Sequence, residues 1–461
     1  MSRSAAPKAF GAALQRGKSN FGIRVKIFFR SFRSRVSRSP NSQSTMKIRT
    51  ALVLFLAGLG VAGLAQSAPL ATPERIRGLL IGSLIGDALG GPFEFQPQET
   101  WSKLPYPPKI WKPDEVLDAR AMEELRQRVR LQSYRHLRPL PEPYAHWQTN
   151  SVLGTITDDS RHKIILLHAL RLANVTNRWP LTARDFAQAY CDWPPAELIA
   201  KHPHYALHNA DWMLEIRLAA RWTLGERDPA RALPTERLWN SLPTCVGQMN
   251  LTPLAAIFPG QPDRAYLAAW EIAWGDNGFG RDMNCALVAG LAVALVQPEN
   301  KTNALAGWIA VENALRKTDP LRFGEIPWCE RQTIRFLDKA ERLAREADHR
   351  PAKLFAAFDR EFAETGPWEA QVPFVVMFAC ARLCDGDPLA TLALTTEWGH
   401  DTDSYPQLAG AFIGALHGEK IFPQDARTAV EKQLLADYSE KLDEWLKVLK
   451  QSSELAHPTV K

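Results

Sequence analysis

Two stretches of this chain set paired carboxylates beside hydroxyls. Thr157, Asp158, Asp159 and Ser160 stand directly before one apolar run, and Asp401, Thr402, Asp403 and Ser404 before another. Asp and Thr suit helix starts. Their side-chain oxygens accept the first unpaired backbone N–H groups, and the positive end of the helix favours an anion. One such motif is ordinarily a cap. Two of them raise a sharper question, because four clustered carboxylates cannot all stay ionised without cations. The available donors are all hard oxygens, a set that suits Mg²⁺ or Mn²⁺ better than zinc. Spacing alone does not bring the two motifs together, so capping stays open as the competing reading.

The elements that must position these acids carry their own signal. In RIRGLLIGSLIGDALGGPFEF, Gly78, Gly82, Gly86 and Gly90 recur every four residues and so line one helix face. After Ser404, Gly410, Gly414 and Gly418 do the same. Each glycine costs a helix about 1 kcal/mol against Ala, so a stripe of them needs a compensating close backbone contact. Two helices packed through such stripes would bring Asp87 and Glu94, at the end of the first, near acids elsewhere in the chain. Asp87 lies at the late turns of the first helix, and Glu94 follows just past Gly90, Gly91 and Pro92, which end it.

The rest of the 461 residues frames this core. Strand signals are scarce and most of the chain reads at helical period. Val116, Leu117, Met122, Leu125 and Val129 mark one expected helix. Val430 to Leu449 mark one amphipathic C-terminal helix. Residues 69–455 are expected to form one all-α domain, with 96–146 a Pro-rich insertion of loops plus a helix. The net charge of +6 belongs to the leader: residues 1–68 hold twelve Lys or Arg and no acid, leaving 44 basic against 50 acidic side chains. No basic stripe remains that would suggest nucleic-acid binding. Residues 46–68 read as a signal peptide, with a short positive start, an apolar run too short for a stable membrane anchor, and small residues near its end. Residues 1–45 are then a basic extension outside the fold, and the mature protein is expected to be periplasmic or secreted. The six cysteines are expected to be mostly buried thiols.

The ordered motifs GDALGGPFE, TDDS and GHDTDS, flanked by small-residue helices, resemble the ADP-ribosylglycohydrolase family. The resemblance implies an all-α helical bundle with a central site for two Mg²⁺ or Mn²⁺ ions. It implies Thr157, Asp158, Asp159, Asp401, Asp403 and Ser404 as metal ligands, with Glu94 and Asp159 as the catalytic carboxylates. Phe93, His400 and Tyr405 are the expected substrate contacts, with Phe95 and Trp398 as neighbouring aromatics. Some positions depart from the family pattern. Ser160 and Ser404 replace threonines but keep a hydroxyl. His400 replaces a glycine. VGQMNLTP echoes the middle motif without its Arg. The expected activity is metal-dependent hydrolysis of an ADP-ribosyl or related ribosyl bond by an activated water. The alternative is a non-catalytic ADP-ribose- or carbohydrate-binding protein on the same fold. A phosphatase built on DTDS is disfavoured, because that motif should follow a buried strand.

Overall fold

The computed structural model describes residues 71–134, 152–201, 214–298 and 303–458. These residues are helical with no strand; an isolated bridge joins Thr244 and Glu369. The expected leader, 1–45 and 46–68, and residues 135–146 of the expected insertion lie outside the described residues.

Five helices set the site: α1 (Pro73–Gly90), α2 (Asp158–Val175), α3 (Val246–Asn250), α4 (Gln371–Leu383) and α5 (Ser404–His417). Thr72 caps α1 and Pro73 occupies its first turn, where a missing N–H costs nothing. From Gly78 to Gly90 every residue of α1 is buried, as expected of a helix apolar all round.

The helix α1 lies antiparallel against α5, and the glycine stripes interlock. A Cβ on Gly78 would lie 2.4 Å from the Gly414 carbonyl oxygen, and one on Gly82 2.2 Å from that of Gly410. Farther along, a Cβ on Gly86 would meet the Pro406 oxygen at 1.9 Å, and one on Gly90 the Thr402 oxygen at 1.7 Å. Only hydrogen fits at these positions. The antiparallel register fixes the outcome: the C-terminal end of α1, with Asp87 and Glu94, meets the loop and first turn of α5, with Asp401 and Asp403.

Two expected helices change length. The one expected around Val116–Val129 spans only Ala119–Arg126, because the Asp118 side chain accepts the Ala121 N–H and starts the helix there. The single C-terminal helix is two, Gln424–Tyr438 and Leu442–Ala456, broken where Ser439 turns left-handed at φ 58°. The described part of the insertion is pinned by the buried carboxylate of Glu397. That group accepts the Lys109 backbone N–H at 3.2 Å and the Trp111 indole N–H, with Arg128 3.7 Å away. All six cysteines are unpaired; four are buried and Cys329 is exposed. No described helix is long and apolar enough to cross a membrane.

Candidate active site

The two acidic helix starts meet. Carboxylate oxygens of Glu94, Asp401 and Asp403 lie within 4.8 Å of one another, and so do those of Asp158, Asp159 and Asp403. Asp403 belongs to both groups and joins the two motifs. Ser404 reinforces the junction, its Oγ donating to Asp159 Oδ2 at 3.3 Å.

Backbone bonds brace the segments that carry the acids. Thr157 caps α2, its Oγ1 accepting the Asp159 N–H at 3.3 Å. Asp87, fully buried, accepts the N–H groups of Thr157 at 2.9 Å and of Ser160 at 3.1 Å. Through these bonds it ties the end of α1 to the start of α2. The Thr402 hydroxyl donates to the Gly90 carbonyl at 2.8 Å, and the Phe95 N–H donates to the His400 carbonyl at 2.7 Å. Those two bonds lock the Glu94 loop onto the Asp401 loop.

Burial and mutual repulsion push these acids upward. Asp159 and Asp403 lie well above the usual carboxylate range, first because they are desolvated and then because of neighbouring carboxylates. Burial lifts Asp401 to about 7. Asp158 is also raised by burial, with Arg161 opposing. One cation is built in. Lys163 is buried behind the cluster, its Nζ donating to the Asp159 carbonyl and to Gln407 Oε1, each at 2.8 Å. Burial lowers it to about 8, while Asp159, Asp87, Asp158 and Asp403 oppose that fall. The reading of the sequence missed Lys163, although its i,i+4 spacing from Asp159 inside an apolar run was a usable signal.

The cluster opens onto a cavity of about 460 Å³. Glu94, Asp158 and Asp401 form its acidic side, and His162 and Cys245 line it as well. The remaining wall includes Phe95, Glu215, Trp239, Leu242, Val246, Met249 and Trp368. The expected substrate contacts Phe93, His400 and Tyr405 are not among these lining residues. Phe93 is buried edge-on against Trp101, with ring centroids 5.8 Å apart. Tyr405 is buried, stacked on Trp398, and its hydroxyl donates to the Pro367 carbonyl at 3.3 Å. His400 is exposed and packs on Trp398 with centroids 4.6 Å apart. Its φ of 68° is the conformation glycine adopts freely, which accounts for a glycine in the family pattern at this position. Phe95, two residues on from Phe93, does line the cavity.

His162 is buried, with Nδ1 2.8 Å from the Tyr190 hydroxyl. Asp276 and Asp282 serve internal bonds: Asp276 accepts the Gly247 N–H at 3.0 Å, and Asp282 accepts the Tyr266 hydroxyl at 2.7 Å.

The sequence model of the ADP-ribosylglycohydrolase family matches residues 68–456. The chain belongs to this family. No curated protein sequence matches it. ADP-ribosylglycohydrolases hydrolyse glycosidic bonds and are typically metal-dependent, and the acids of this chain suit that chemistry. Asp159 Oδ1, Asp401 Oδ2 and Asp403 Oδ2 are buried with no hydrogen-bond partner. An unpaired buried carboxylate oxygen is costly, so oxygens of this kind on members of the two carboxylate clusters fit a hard divalent cation.

Proposed function

We propose that the chain is an exported, metal-dependent glycohydrolase that cleaves an ADP-ribosyl or related ribosyl glycosidic bond with water. The observation that carries this reading is the double use of Asp403. Two carboxylate groups share it at the edge of a cavity of small-ligand size, and buried oxygens within them lack partners. Thr157, Asp158, Asp159, Asp401, Asp403 and Ser404 would hold two Mg²⁺ or Mn²⁺ ions. Ions bound there supply Lewis acidity, which orients sugar hydroxyls and eases loss of a proton from water.

The residues of the chain do the remainder. Glu94 faces the cavity, where it positions the attacking water and takes its proton. The water oxygen bonds to the anomeric carbon as the glycosidic bond breaks. The bonding pair leaves with the departing group, which gains a proton from solvent. Positive charge builds on the sugar during this exchange, and Asp159 stabilises it as a nearby anion. Lys163 and Asp87 hold the acids in place from behind. Export follows from the reading of residues 46–68 as a signal peptide and places the substrate outside the cytoplasm.

The test pairs calorimetric titration of Mg²⁺ and Mn²⁺ with hydrolysis of a panel of ribosyl substrates. The expected result is saturable uptake of about two ions and turnover that falls by about 10²-fold or more in Glu94→Gln. Glu94→Gln retains ion uptake on this reading. A folded chain that takes up no ions reduces the aspartates to helix caps. Ion and ADP-ribose uptake with no turnover of any substrate makes the protein a binding module on the same fold.

A further inference from the structure

The cavity has two unlike ends. At the acidic end stand Glu94, Asp158 and Asp401. The other wall is aromatic. Phe95 and Trp368 are 44% and 45% exposed, unusual for such large rings, and they meet edge to face with centroids 6.4 Å apart. Phe95 holds this position at φ 49°, a conformation a bulky side chain seldom adopts. Its N–H bond to His400 clamps it there, one residue from Glu94. Trp239 adds a third ring, at φ 54°. The Trp239 N–H is bonded at 2.8 Å to the carboxylate of Glu215, which also lines the cavity.

The lining charge is therefore of one sign. Glu94, Asp158, Glu215 and Asp401 face the cavity, and no Lys or Arg is among the described lining residues. Divalent ions at the aspartates would balance the acidic end but not Glu215, which belongs to the aromatic wall. A diphosphate reaching that wall would meet a carboxylate and flat rings, with like charges opposed. A flat group without negative charge gains there instead: rings stack, and a cationic ring also gains from the aromatic faces and from Glu215.

Resting on the glycohydrolase reading, we propose that this cavity selects ribosides without a diphosphate arm, carrying a flat, neutral or cationic leaving group against Phe95, Trp239 and Trp368. Glu215 is the residue that discriminates against the diphosphate.

The test uses matched probes that share one glycosidic bond and one leaving group: the α and β anomers of nicotinamide riboside and of NAD⁺. Hydrolysis and calorimetric affinity are measured for each in saturating Mg²⁺, along with the affinity of ADP-ribose. The riboside is expected to exceed the dinucleotide by about tenfold or more in affinity and, where turned over, in kcat/KM. Glu215→Gln, which keeps an oxygen for the Trp239 N–H, is expected to narrow that ratio several-fold. The wild-type preference is expected to shrink as salt screens the carboxylate. Equal or tighter binding of NAD⁺ or ADP-ribose overturns the proposal, whether or not anything is hydrolysed, and so does a ratio that Glu215→Gln leaves unchanged. Preferential riboside binding with no turnover upholds the specificity and refutes only the hydrolase reading. Binding of none of the probes refutes both.

Discussion

The contact between α1 and α5 makes a prediction whose sign is unusual. In an unconstrained helix interior, replacing Gly with Ala stabilises by about 1 kcal/mol. At Gly82 the new methyl would stand 2.2 Å from the Gly410 carbonyl oxygen and 2.6 Å from the ring of Phe422. Reaching ordinary contact requires the helices to part by roughly 1 Å, in a core packed as densely as an organic crystal. Overpacking of this kind costs about 1–3 kcal/mol, occasionally more. The obstructing atoms here are mainly backbone, which cannot swing aside, so the upper part of that range applies. After the propensity gain, Gly82→Ala is expected to lose about 2 kcal/mol. Urea denaturation followed by circular dichroism reads this as a lower midpoint at unchanged slope. Gly78→Ala should behave similarly, since its methyl would lie 2.4 Å from the Gly414 oxygen. Gly90→Ala differs in consequence: its methyl would press at 1.7 Å on the Thr402 oxygen, between Glu94 and Asp403. It should weaken Mg²⁺ binding far more than Gly78→Ala does. A stability gain in Gly82→Ala would refute the reasoning about the seam. Equal Mg²⁺ affinity in Gly78→Ala and Gly90→Ala would show that the seam does not set the spacing of the acids.

Three further outcomes follow from the acid cluster. Asp403→Asn, which alters the carboxylate common to both groups, should abolish uptake of both ions, whereas Asp158→Asn should leave about one site by calorimetry. Folded-state carboxyls raised above their ordinary range bind protons more tightly than the unfolded chain does, so ion-free stability should fall as pH rises from about 4 towards 7. Asp401 and Glu397, both lifted to about 7 by burial, contribute to that fall. Saturating Mg²⁺ should remove the part due to Asp401 and its neighbours and leave the part due to Glu397, which thermal melts in matched buffers would read. Lys163→Met removes the buried counter-charge and should cost about 3–5 kcal/mol without ions. Mg²⁺ should restore part of that loss, and a Tm deficit indifferent to Mg²⁺ would mean that Lys163 serves packing alone.

What could be read in the sequence was whatever repeats at a local spacing. The four-residue period of Gly78 to Gly90 and of Gly410 to Gly418 announces a close helix pair, because only a tight partner compensates so many glycines. Thr157 and Asp159 announce a helix start, because capping is a contact between residues two or three apart. Helix ends were less legible where one residue decides them. Ser439 turns left-handed and splits the last amphipathic run, although the apolar spacing continues across it. Asp118 starts its helix late, leaving Val116 and Leu117 outside.

The wall of the cavity was illegible for a different reason. Phe95, Glu215, Trp239, Cys245 and Trp368 come from five separate parts of the chain, and no spacing relates them. The aromatic nearest the acids in sequence was also a poor guide. Phe93 and Tyr405 adjoin the motifs, yet each lies where the helical geometry turns it into the core. Phe95, two residues from Phe93, reaches the cavity because the backbone reverses at positive φ after Gly91 and Pro92. The acidic half of the site is thus written in local patterns, while the half that would choose the substrate is written in the tertiary path of the chain. The end of α1 and the starts of α2 and α5 carry the acids, while the loops around Trp239 and Trp368 carry two of the three rings. Substitutions at those rings should therefore change which leaving group is accepted while ion uptake at the aspartates stays the same.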